Sequence, residues 1–94
     1  MAEIDKKEPS NVYDILVVML DQVAGIAWQK LGLQPDFLSG EIHQDLAQAK
    51  VAIDVVANLS GVVEPRLDES DRRELQNLVS NLRINYVERS RQSQ

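Results

Sequence analysis

Apolar residues recur at helical spacing in three stretches of the chain, with clusters of turn-forming residues between them. In the first stretch Val12, Leu16, Met19, Leu20, Val23, Ala27 and Leu31 make a core-facing stripe. Ile15, Val18 and Ile26 widen it around the cylinder, which leaves a narrow polar strip through Asp14, Asp21, Gly25 and Gln29. Asn11 is placed to cap the first free amides, and Asp14 sits where the helix dipole favours an acid. Gly32 fits the left-handed residue that closes a helix, with Leu33 folding back on Trp28 and Pro35 preventing resumption. A first helix over 12–31 is predicted.

The connector 33–40 is rich in turn formers, yet it contains Phe37 and Leu38, which are expected to lie over the core. A second helix over 43–60 is marked by Leu46, Ala49, Ile53, Val56 and Leu59 or Ser60, and Val51 and Val55 supply a second apolar line. Lys50 and Asp54 are spaced as an ion pair on one face, and Gly61, with Pro65 beyond, is expected to end the helix. The third helix, predicted over 68–89, opens on Asp68, Glu69 and Asp71 and carries a stripe of Leu75, Leu78, Val79, Leu82 and Tyr86. Ile84 and Val87 lie off that stripe. The β-branched residues all fall inside helical periodicity, so no strand is predicted.

This pattern specifies an all-α, three-helix single domain over residues 11–90, with a disordered polar leader over 1–10 and a disordered tail over 91–94. The length of 94 residues accommodates one such domain. Three helices can each bury about one broad stripe in a monomer, whereas helix 1 offers nearly its whole circumference. The domain is therefore expected to be completed by homodimerisation, with helix 1 packing on its copy through Ile15, Val18, Met19, Gln22 and Ile26.

Composition narrows the chemistry. With no cysteine and one histidine, thiol nucleophiles, thiolate metal sites and histidine-based catalytic groups lack their raw material. Aromatic residues are 4% of the chain, too few for a stacking platform on single-stranded nucleic acid. Glu41, His43 and Asp45 alternate near the start of helix 2; on a helix they diverge, although an extended backbone would let them converge. Asp21 and Asp54 interrupt apolar helices, but no serine–histidine pair, glycine-rich phosphate loop or carboxylate pair accompanies them. No enzymatic activity, cofactor or metal is expected.

The net charge of −5 disfavours indiscriminate attraction to phosphate backbones or anionic membranes. It is unevenly spread: residues 1–64 hold ten acids and four bases, and residues 65–94 hold five acids and six bases. Arg73, Asn77, Asn81, Asn85 and Arg89 recur every fourth residue and form a slanted polar ridge on helix 3, a possible face for RNA or an acidic partner. Residues 1–11 lack a secretory apolar core, and the longest uninterrupted apolar run, 15–20, is far short of a membrane span, which predicts a cytoplasmic protein without a membrane partner.

Val12-Tyr-Asp-Ile-Leu16, Trp28-Gln-Lys-Leu-Gly32, Ser39-Gly-Glu41, Asp45-Leu-Ala-Gln-Ala-Lys50 leading to Ala52-Ile-Asp54, and Leu75-Gln-Asn-Leu78 leading to Leu82-Arg-Ile-Asn-Tyr-Val87 follow one another in a characteristic order. Over about residues 12 to 88 the chain resembles a family of small, functionally uncharacterised bacterial helical proteins, a domain-of-unknown-function family. Gly61-Val-Val-Glu-Pro65 departs from the more polar, lysine-bearing turn the resemblance leads one to expect. The resemblance implies a small helical protein and no activity. It also draws attention to Arg83 beside Tyr86, close to the core stripe and a candidate for a buried or interfacial ion pair with Asp14, Asp21 or Asp54. Two readings result. The first is a non-enzymatic, self-associating interaction module that uses the apolar face of helix 1, with a further protein partner left open. The second is an RNA- or ribosome-associated factor that uses the arginine and asparagine face of helix 3.

Overall fold

The computed structural model describes residues 9–92 and contains three α-helices and one short 3-10 turn: α1 (Val12–Lys30), α2 (Leu46–Val63), η1 (Glu64–Arg66) and α3 (Glu69–Gln92). Every described element is helical, so the chain is an all-α single domain. Most of the predicted leader, 1–8, and residues 93 and 94 lie outside the described residues. Residues 91 and 92, predicted as tail, are helical as the end of α3.

The helix ends follow the chemistry of unsatisfied backbone groups. Asn11 Oδ1 accepts from the Tyr13 amide at 2.9 Å, and Asp45 Oδ1 accepts from the Gln48 amide at 3.0 Å. At the start of α3, Asp68 Oδ1 accepts from the Asp71 amide at 2.8 Å. The close of α1 is a Schellman motif: Gly32 has φ 82°, its amide donates to the Gln29 carbonyl at 3.0 Å, and the Leu33 amide donates to the Trp28 carbonyl at 3.1 Å. The last two carbonyls are met from across the connector. The Asp45 amide donates to Lys30 O at 2.8 Å, and Gln44 Nε2 donates to Leu31 O at 3.1 Å.

Helix 2 departs from its predicted bounds at both ends. It starts at Leu46, because Asp45 is the cap and residues 41–44 are not helical. It then runs through Gly61, which has no positive φ, to Val63. Val63 is 1% exposed. Fully burying a valine contributes about 1.5–3 kcal/mol, against roughly 1 kcal/mol lost by a helical glycine relative to alanine, so packing overrides the local stop signal. Pro65 enters η1 instead, near the turn's start where a missing amide costs nothing. Arg72 fastens this turn, its Nε donating to Glu64 O at 3.3 Å and its Nη2 to Leu67 O at 3.1 Å.

The core is formed by Leu20, Ala24, Ala27 and Leu31 of the α1 region, Ala49, Ala52, Ile53, Val56 and Val63 of α2, and Leu75, Val79 and Leu82 of α3. Helix α2 is central: it packs against both α1 and α3, and no comparable packing joins α1 to α3. This corrects the expected first stripe, because Val12 and Met19 are exposed. One packed neighbour covers only the arc through Leu20, Ala24, Ala27 and Leu31, and Val12 and Met19 lie roughly a quarter turn off it. Phe37 and Leu38 also depart from expectation; they are exposed and do not cover the core. The molecule is elongated, with extents of 52 × 29 × 18 Å and a radius of gyration of 14.9 Å, against about 12 Å for a compact chain of this length.

Candidate self-association surface

Turned away from its packed face by a quarter turn or more, α1 presents Val12, Ile15, Val18, Met19, Gln22 and Ile26, all exposed. Val12, Ile15, Met19, Gln22 and Ile26 are separated by three, four, three and four residues, the alternation that keeps a seam of side chains on one side of a helix. Val18 flanks the seam on the same edge as Gly25, where an added Cβ would meet nothing within 4 Å. The polar strip of Asp14, Asp21 and Gln29 borders that edge, with Asp14 and Asp21 exposed. The five residues singled out in the sequence, Ile15, Val18, Met19, Gln22 and Ile26, thus share one outward face.

The connector adds apolar surface at the C-terminal end of α1. Asp36 Oδ1 accepts from the Leu38 and Ser39 amides at 2.9 and 3.0 Å, which holds its carboxyl below the usual carboxylate range; the bond from Ser39 is the larger cause. The Gly40 amide donates to Asp36 O, and the Asp36 amide donates to Glu41 O, each at 2.8 Å. These bonds close the loop on itself, so the side chains at its tip point outward. That is the physical reason Phe37 and Leu38 miss the core. The Phe37 amide also donates to Gln29 Oε1 at 3.2 Å, which fixes the loop against the polar strip of α1.

Other candidates are dispersed. Glu41 Oε2 and His43 Nε2 approach to 3.6 Å on exposed, non-helical backbone, while Asp45 is occupied as a helix cap. Among the described residues no group of three or more histidines, cysteines or acids is arranged to hold a metal ion. Asp54 is exposed and paired with Lys50 at 3.2 Å. Within one chain, Arg83 forms no ion pair with Asp14, Asp21 or Asp54 among the described residues, contrary to the buried pairing considered from sequence. Arg83 is exposed on α3, Asp14 and Asp21 are exposed on a helix that packs chiefly on α2, and Asp54 is exposed on α2 and paired with Lys50. Arg83 instead borders an open groove of about 410 Å³ between α2 and α3, with Ala57, Ser60, Gly61 and Gln76.

The polar ridge of α3 is partly satisfied from within. Arg73 pairs with Glu69 at 3.4 Å, Asn85 Nδ2 donates to Asn81 O at 2.8 Å, and Arg89 Nη1 lies 3.5 Å from Gln92 Oε1. Asn77 and Asn81 are exposed. Sequence reasoning missed the backbone bonds of Gln44 and Arg72, which depend on contacts across turns and leave no periodic signal.

By length and mean hydropathy, α1 and the segment Leu46–Arg66 are each long and apolar enough to cross a membrane. The average tolerates Asp14 and Asp21, which break the uninterrupted run; packed core helices meet the same measure. No curated protein and no solved structure gives a significant match to the chain. The order and spacing of its helical motifs do match a family profile across residues 12–88, and the chain belongs to that family, the domain of unknown function DUF1844.

Proposed function

We propose that this protein is a non-enzymatic, self-associating module that buries the outward face of α1 against the same face of a second copy. The observation that carries the reading is the exposed seam from Val12 to Ile26, turned away from the face packed on α2. An isologous contact suits it, since an apolar seam is complementary to itself and an amide such as Gln22 can both donate and accept. A lipid surface is the less suitable cover. Helices that lie in a membrane interface carry lysine and arginine on their polar face. Here Lys30 is the sole base in α1, and the polar strip is acidic. The outward valines of α2, Val51, Val55 and Val62, form a poorer seam, interrupted by Asn58 and bordered by the Lys50–Asp54 pair.

A nucleic-acid role for the α3 ridge ranks below this reading, because Arg73 and Asn85 already have partners within the helix. Sedimentation across micromolar concentrations tests the main reading. The wild-type chain is expected to have twice the 10.6 kDa chain mass. Ile15→Asp and Ile26→Asp each place a charge on the seam and are expected to raise the dissociation constant by at least about tenfold with the helical circular dichroism retained. A wild-type chain that stays monomeric throughout removes the proposal.

A further inference from the structure

We infer that the loop tip at Phe37 and Leu38 is the second part of this interface, and that the two α1 helices meet antiparallel so that each loop closes over the other's N-terminal end. The inference rests on the self-association of α1 proposed above and specifies its geometry. It starts from a loop that is well tied down yet apolar at its tip: Phe37 is 72% and Leu38 84% exposed, although Asp36 fixes the backbone of the turn through both of its chain-facing amide acceptances. Polar side chains would serve such a turn equally well if water were its only neighbour.

Position and area point to one occupant. Gln29, which accepts from the Phe37 amide, lies on the outward side of α1 one turn beyond Ile26, so the loop stands at the C-terminal end of the same face as the seam. The seam is centred on Met19, midway between Val12 and Ile26. A two-fold axis there sets each Ile26 level with the partner's Val12, and each Phe37 just past it. The five large apolar residues of the α1 face, 38–57% exposed, offer roughly 400 Å² per copy, about half of the ~800 Å² per partner of a specific interface. Phe37 and Leu38 add roughly 300 Å² per copy, which brings the surface close to that size. Charge selects the direction. Parallel helices would bring two loops together, each carrying Asp36 and Glu41. Antiparallel helices separate the two acidic loops and set each beside the N-terminal end of the partner's α1, where the helix dipole favours an acid.

Because the chain has no cysteine, introduced thiols report the geometry without background. Mixing Val12→Cys chains with Phe37→Cys chains under oxidising conditions is expected to give the mixed disulfide, and Phe37→Cys alone is expected to stay unlinked. In parallel, Phe37→Ser/Leu38→Ser is expected to weaken dimerisation at least about tenfold with helicity unchanged. Self-linking of Phe37→Cys, absence of the mixed disulfide, or a dissociation constant within twofold of wild type for the serine variant each overturn the inference. If Ile15→Asp still produces monomers in those cases, the self-association reading stands without the loop; if the wild-type chain is monomeric, both fall.

Discussion

Replacing Gly61 by alanine tests the most consequential departure from sequence expectation. If Gly61 were a left-handed helix cap, a Cβ there would be strained and the variant less stable. Helix α2 instead passes through Gly61 without a positive φ, and an added Cβ would meet nothing within 4 Å. Alanine then gains helix propensity and restricts the unfolded chain, a stabilisation of about 1 kcal/mol. For a domain of this size that raises the melting temperature by about 4–8 °C. Gly32→Ala is the matched control. Gly32 has φ 82°, and its added Cβ would lie 3.3 Å from Gln44 Cβ, the side chain that caps Leu31 O. The left-handed penalty of about 1–2 kcal/mol plus disturbance of that cap predicts a loss of about 1–3 kcal/mol. The assay is thermal and urea unfolding of all three chains at one protein concentration, since a dimer's midpoint moves with concentration. Destabilisation of Gly61→Ala comparable to that of Gly32→Ala would refute a helix continuing to Val63.

Three further outcomes are expected. Leu82→Ala, at a fully buried position of the α2–α3 contact, is expected to cost about 2–5 kcal/mol in urea titration, whereas Ile84→Ala, exposed on the same helix, is expected to cost under about 1 kcal/mol. Asp45→Ala removes the acceptor for the Gln48 amide and is expected to cost about 1 kcal/mol in the same assay. The ionised Asp36 carboxylate accepts two backbone bonds, so it titrates lower in the folded loop than in the unfolded chain. Its support is therefore complete at neutral pH and is lost as the pH falls through the folded value, below the ordinary aspartate range. The Leu38 and Ser39 amide resonances are expected to report that loss, and Asp36→Asn, which keeps an acceptor oxygen, is expected to flatten their acid titration.

Much of the architecture was legible in the chain because it is written in local chemistry. Asn11, Gly32 and Asp68 mark helix ends through bonds made within a few residues, and the stripe Leu75, Leu78, Val79, Leu82 and Tyr86 is set by period alone. What failed was decided at longer range. Gly61 reads as a stop until the burial of Val63 is known. Phe37 and Leu38 read as core until Asp36 is seen to turn the loop outward. Arg83 reads as a partner for Asp14, Asp21 or Asp54 from its place near the core stripe, whereas α1 and α3 pack mainly on α2 and Asp54 faces away from the core. The outward face of α1 was legible as an excess of apolar residues; its heptad-like spacing became meaningful once the packed arc was known.

The packing of α1 gives that excess a physical sense. Ala24 and Ala27 on α1, and Ala49 and Ala52 on α2, are all buried in the core. Small side chains on both sides let two helices approach closely over a narrow arc. The larger Ile15, Met19 and Ile26 are then left off that arc, exposed. A monomer optimised alone would bury these residues too, as it buries Leu20 and Leu31, since each contributes about 1.5–3 kcal/mol on full burial. Exchanging the two sets is therefore informative: Ile26→Ala is expected to leave the unfolding free energy of the separated monomer within about 1 kcal/mol of wild type while weakening association. Ala27→Ile is expected to overpack the α1–α2 contact and cost the monomer about 1–3 kcal/mol. If the two substitutions instead changed monomer stability alike, the division of α1 into a folding face and an association face would have no basis.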